Sequence, residues 1–296
     1  PTAPPLNKPP FTAINCVQTQ FMAVIFMFGI LCLTVLDSGE RGRSLTLRLF
    51  PHRGMGEEDG LFRMARYPVV TLTLSPRWKA PLRENRVRRA LLRLRSRGVD
   101  SVILPGEYHG LARGLGLRPL TDLAAREAGA QAAVEELCRA LDIPLGSLGI
   151  EIRGGTLSRR AADQVLGLAQ SAGALRIPEG ENAELSRTLW RACGVIAQGE
   201  FPRGMPRLTL AFAGAAGESP GVMADLGAGL PENAAQVWRP QPIPPRGAME
   251  RMPAGCDPGV FAAALLECGA LRPREIRVSR LDIPGDTPYN NEIVKE

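Results

Sequence analysis

The sequence predicts an α/β protein built on an open, doubly wound, Rossmann-like and mostly parallel sheet, followed by a loop-rich C-terminal part. Three observations carry that expectation. From Tyr67 onward, continuous apolar runs alternate with segments of helical spacing, the pattern of parallel strands joined by covering helices. The apolar share is 45% and the charged share 22%, ordinary for a globular chain and too apolar for wholesale disorder. The 32 glycines and 26 prolines make about a fifth of the chain against about 12% ordinarily. They follow no period, so collagen is excluded and long connecting loops are expected.

Taken in order, residues 69–74 (VVTLTL) are β-branched and read as a buried strand ended by Ser75-Pro76. Residues 84–97 read as a helix, because Val87, Ala90, Leu91 and Leu94 share one face and Gly98 follows. Residues 101–104 form a second strand closed by Pro105-Gly106, and one long helix is expected over 121–141. A strand at 148–152 runs into the turn Gly154-Gly155. A helix then begins near Ser158, whose hydroxyl can accept from first-turn amides. Strand 174–177, helix 181–193 and a short strand at 195–197 complete the alternation. Beyond Gly199 strands are expected at 207–212, 222–226, 236–238 and 275–283, with a helix at 258–268. The expected organisation is an extension over 1–63, an α/β core over 64–199, and a part over 200–296. That last part completes the sheet or forms a small second lobe.

The first residues differ in composition. Residues 1–36 contain no arginine, whereas from Arg41 onward arginine recurs every few positions. Residues 21–36 (FMAVIFMFGILCLTVL) carry no charge, and sixteen apolar residues are marginal for a spanning helix, which needs about 17–25. The arginines that follow would place the body in the cytoplasm. Two readings stand: a membrane anchor at 21–36, or a misassigned upstream segment with Met55 or Met64 as an internal start.

Several chemistries are excluded or weakened. Six cysteines without a C-x-x-C spacing suit buried thiols in a reducing compartment rather than a disulfide scaffold. Gly217-Glu218-Ser219-Pro220-Gly221 matches a nucleophile elbow by letter. Its oxyanion hole would need the N–H that Pro220 lacks, and both histidines, His52 and His109, precede the serine. No Walker A motif is present.

Two segments keep a functional reading. Gly154, Gly155 and Ser158 lie between a strand and a helix, where backbone N–H groups and the helix dipole favour phosphate. Glu179 follows the next strand about where a ribose-binding acid sits. The plain alternative is an ordinary strand-to-helix turn. His109, in the loop after strand 101–104 with Glu107 and Tyr108, is the candidate acid–base group; one local histidine is too few for a metal.

The expected function is binding of a small anionic ligand, a nucleotide of the NAD(P) kind leading, with dehydrogenase-like chemistry if the protein is catalytic. The alternative is a non-catalytic scaffold or regulatory protein, tethered or not through 21–36. Nucleic-acid binding rests only on the arginine-rich face of helix 84–97 and ranks last.

Overall fold

A computed structural model of the chain describes residues 28–35, 55–155, 157–178, 182–194, 199–215, 222–230 and 237–279. The protein is α/β with open, mostly parallel sheets, as the alternation predicts, but there are two major sheets rather than one.

Sheet A takes strands β1 (Phe28–Val35), β2 (Met55–Phe62), β3 (Ala65–Leu74), β4 (Ser101–Ile103) and β5 (Arg118–Pro119). Their order is β2-β3-β1-β4-β5, parallel except for the antiparallel β2–β3 hairpin. The apolar run read as an anchor or a dispensable extension is therefore corrected over residues 28–35: it is the central strand. Continuous apolarity is what a parallel strand needs when both its faces are covered. Phe28, Ile30 and Cys32 point to one core, and Leu31 with Leu33 to the other. Residues 21–27 and 36 lie outside the described residues. Among the described residues no helix is long and apolar enough to cross a membrane.

Helices cover both faces of sheet A. Helix α1 (Ala80–Ser96) buries Val87, Ala90, Leu91 and Leu94 against Leu31, Val70, Leu72 and Val102. Its arginine-rich side is largely engaged within the molecule. Arg93 pairs with Glu57, Arg97 with Asp59, Arg95 donates to the Leu115 carbonyl, and Arg86 lies over the Trp78 ring. A short helix α2 (His109–Gly114) then leads to β5.

The helix expected over 121–141 is two helices, α3 (Leu123–Ala128) and α4 (Ala130–Leu141). The break falls at Gly129, where a Cβ would lie 3.2 Å from the Ala125 carbonyl oxygen and 3.3 Å from Val278. The two halves serve different cores. Ala125 and Ala128 pack under sheet A, while Ala130, Val134 and Leu137 pack on sheet B.

Sheet B is all parallel: β6 (Gly149–Arg153), β7 (Ala174–Arg176), β8 (Arg207–Ala211), β9 (Val222–Asp225) and β10 (Val237–Trp238), in the order β10-β9-β8-β6-β7. Helices α5 (Arg159–Ala169) and α6 (Ala183–Cys193) share one core with α4 and with Ile150, Ile152, Leu175, Leu208 and Leu210. On the opposite side of β6 lies Glu151, only 3% exposed and held by Arg153 and Arg176.

The chain then returns to sheet A. A two-stranded sheet, β11 (Pro242–Ile243) with β12 (Arg277–Val278), brackets α7 (Arg246–Met249) and α8 (Pro258–Glu267). Helix α8 is capped by Asp257, which accepts from the Val260 amide at 2.9 Å. Its Phe261 packs edge-on against Phe28 and Tyr67, whose own rings stack 5.1 Å apart. The Tyr67 hydroxyl donates to the Arg251 carbonyl at 2.8 Å. Opposite Tyr67 in the hairpin stands Gly60, where a Cβ would come within 2.0 Å of the ring. At the hairpin tip Arg63 grips Glu275 with two N–H groups and donates to the Ala270 carbonyl at 2.8 Å. That guanidinium holds the Glu275 carboxyl down at about 2.

Of the remaining expected elements, the strand at 195–197 lies outside the described residues, and 275–283 yields only β12 before them. We predict that Phe28→Ala lowers the unfolding free energy in urea by about 3–5 kcal/mol. Leu61→Ala, at a side chain 60% exposed, should change it by no more than about 0.5 kcal/mol. Equal effects would show that β1 is not in the core.

Candidate functional site

In an open parallel sheet, ligands settle beyond the carboxyl ends of the strands where the strand order reverses. In sheet B that point is β6, since the chain steps from β6 to β7 on one side and then returns past it to β8. A cleft of about 690 Å³ opens there, bounded by the loop after β6, the starts of α5 and α6, and Gly214 after β8.

The three loops are tied together at Gly154. Its φ of 143° is open to glycine and rarely to other residues, and a Cβ would meet Phe212 Cβ at 3.1 Å and the Ala213 oxygen at 3.2 Å. The loop after β6 therefore lies directly against the loop after β8. The Gly155 N–H donates to the Ala213 carbonyl at 3.0 Å. From the third loop, Asn182 adopts a left-handed conformation and its amide donates to the Gly154 carbonyl at 2.8 Å.

These contacts decide what each expected site residue can do. Gly154 and Gly155 line the cleft, but the Gly155 amide is already directed at a carbonyl. Ser158 caps α5, accepting from the Ala161 N–H at 3.1 Å, and its hydroxyl donates to Glu127 Oε2 at 2.7 Å. Ser158 is thus a cap that also tethers α3, and it does not line the cleft. Glu179 lies outside the described residues, as does the G-x-S-x-G segment at 217–221.

His109 stands elsewhere. It opens α2 at the carboxyl end of β4 in sheet A, half-buried, with Nε2 3.3 Å from the Leu104 carbonyl oxygen. Burial pushes the neighbouring Tyr108 phenol up, and its hydrogen bond to Glu107 adds to the shift. The fold therefore separates the histidine cluster from the glycine turn, and His109 does not line the cleft.

Four lining residues with polar side chains escaped the sequence reading: Arg159, Asn182, Glu184 and Thr188. Arg159 is exposed at the first position of α5, and no ion pair engages it among the described residues. Because Asn182 turns toward Gly154, no side chain caps the first turn of α6; Glu184 supplies a negative charge there instead. Glu184 likewise has no ion pair among the described residues. The Thr188 hydroxyl donates to the Glu184 carbonyl at 2.9 Å. An Asn just before a helix is a recognisable start signal, but nothing local shows that its side chain leaves the helix.

At the far end of the same sheet edge, Asp225 is 1% exposed and organises the loop after β9. Its oxygens accept from the amides of Gly227 at 3.0 Å, Gly229 at 3.2 Å and Leu230 at 3.2 Å, with Arg239 at 3.4 Å. Burial alone would raise this carboxyl, yet the amides and the guanidinium together hold it below the ordinary range. Among the described residues no group of three or more His, Cys, Asp or Glu could hold a metal ion.

No protein-family model matches the chain, and no curated protein matches it at a significant level.

Two predictions follow from this geometry. Gly154→Ala should lower stability by more than about 1 kcal/mol in chemical denaturation, because φ and space both forbid the methyl group. Gly155→Ala, with only one ordinary contact at 3.8 Å, should stay within about 0.5 kcal/mol. The second concerns pH. A carboxyl with a depressed folded pKa contributes fully above its unfolded value, near 3.9, and loses that contribution as pH falls through the folded value. Melting temperature should therefore fall below about pH 4, and Asp225→Asn should lower it at pH 7 while flattening that acid limb.

Proposed function

We propose that the cleft at β6 binds a small anionic ligand of nucleotide size, its anionic end beside Arg159. One observation carries the reading: an arginine with no carboxylate partner among the described residues lines a cleft at the order reversal of a parallel sheet. Arginine's planar five-donor fork suits phosphate or carboxylate. The N-terminus of α5 adds its partial positive charge on the same wall. The volume falls in the range of small-molecule and cofactor sites, about 300–1,000 Å³. Nicotinamide, flavin and adenine nucleotides are the ligands to try.

Catalysis by His109 is not part of this proposal, since that side chain stands at sheet A. A second reading, a non-catalytic scaffold or regulatory role, draws support from the same loops. The Gly155 amide and the Ser158 hydroxyl, the groups the strand-to-helix turn would offer a phosphate, are both bonded within the protein, and Ser158 does not line the cleft.

Thermal melting of the full chain with NAD, NADP, FMN and ATP tests the reading. A ligand at a hundred times its Kd should add about 2.7 kcal/mol to the folded state. Gly155→Asp, which has room for its Cβ, should leave the ligand-free midpoint unchanged and abolish the shift by placing a carboxylate in the cleft. No shift with any of the four would remove the nucleotide reading and leave the scaffold role.

A further inference from the structure

Resting on that reading, we infer that Glu184 is a diol-binding residue and that the ligand is a ribonucleotide, its phosphate toward Arg159 and its ribose hydroxyls on α6. The charged side chains on the two walls of the cleft have opposite chemistry. The α5 wall offers Arg159, which can only donate. The α6 wall offers side-chain acceptors: an ionised Glu184 carboxylate has two oxygens and no proton. Thr188, one turn along, already gives its hydroxyl proton to the Glu184 carbonyl, so its oxygen keeps only lone pairs for a ligand.

Arg159 and Glu184 line one cleft, and neither is paired with the other or with another described residue. A ligand complementary to both must be anionic at one end and present O–H or N–H donors at the other. A phosphate at Glu184 would meet like charge, which restricts it to the Arg159 side. Vicinal hydroxyls suit a carboxylate, because each oxygen accepts one O–H bond. The cleft, at about 690 Å³, has room for a base beyond the sugar and far exceeds a bare phosphate or a free amino acid. Arg159 and Glu184 lie 25 residues apart on successive strand-to-helix junctions, so the placement is a product of the β6-α5-β7-α6 unit.

The test is calorimetric titration of the full chain, wild type and Glu184→Gln, with ADP, 2′,3′-dideoxy-ADP, inorganic phosphate and a neutral α-amino acid. Glu184 is exposed, so the variant should stay folded without ligand, its melting temperature lower by no more than a few degrees for the charge lost at the first turn of α6. Wild type should bind ADP about tenfold more tightly than the dideoxy form, as expected for hydrogen bonds to a charged acceptor. Glu184→Gln should weaken ADP by about tenfold and leave dideoxy-ADP within threefold, erasing the discrimination. Equal affinity of wild type for the two nucleotides, or discrimination that survives Glu184→Gln, would overturn the diol assignment while leaving the anionic site. Binding of phosphate without either nucleotide, or of the amino acid in their place, would overturn it too. Binding of none of the four would overturn the anionic-ligand reading itself.

Discussion

Strand β1 is buried on both faces, and the arrangement of sheet A follows from that burial. A strand in this position must offer apolar side chains in both directions. Phe28 and Ile30 meet α8 and α3, while Leu31 and Gly29 lie under α1. Because β1 fills the centre, β3 and β4 cannot be neighbours, and α1 carries the chain from one side of β1 to the other. The aromatic group of Phe28, Tyr67 and Phe261 then joins three segments remote in sequence at one point. Burying each such ring is worth about 1.5–3 kcal/mol, with a further increment for edge-to-face packing.

The second constraint is the division of labour between the two cores. Gly129 ends one helix and starts the next, so a continuous stretch of helix-forming sequence can face sheet A first and sheet B afterwards. The joint is reinforced by polar contacts rather than by more apolar surface. Glu127 on α3 accepts from Ser158 at the start of α5, and Val278 of the returning C-terminal segment packs at Gly129 itself. A buried carboxylate is tolerated only with such partners. Glu127, Glu151 and Asp225 each have them: Glu127 and Glu151 tie separate helices or strands together, and Asp225 binds its own loop and Arg239.

The cleft inherits its form from this construction. Its rim consists of three loops stitched by hydrogen bonds that include Gly155 to Ala213 and Asn182 to Gly154. Its walls are the first turns of two helices. Glycine at 154 is needed because two backbones approach there more closely than a Cβ allows. The Gly155 amide, which a glycine turn would offer to a phosphate, is consumed in that stitching. Arg159 and Glu184 line the space the stitching leaves open.

Local rules were enough for much of the fold. Alternating apolar runs and 3.6-residue periodicity located β3, α1, β4, β6, α5, β7, α6 and α8 within a few residues. Ser158 announced its helix, since a cap is an interaction between neighbours in sequence. The glycine turn at 154–155 was legible for the same reason. Tertiary structure alone decided the rest. An apolar run such as 28–35 has the same letters whether it meets lipid or two layers of helices, so only its partners make it a central strand. The polar strand β2 carries no alternation and pairs because β3 offers an edge. Partition into two sheets, the separation of His109 from the glycine turn, and the placing of Arg159 and Glu184 on one cleft all depend on contacts between residues far apart in the chain. Periodicity and spacing report only on near neighbours, and strand order is a property of the folded whole.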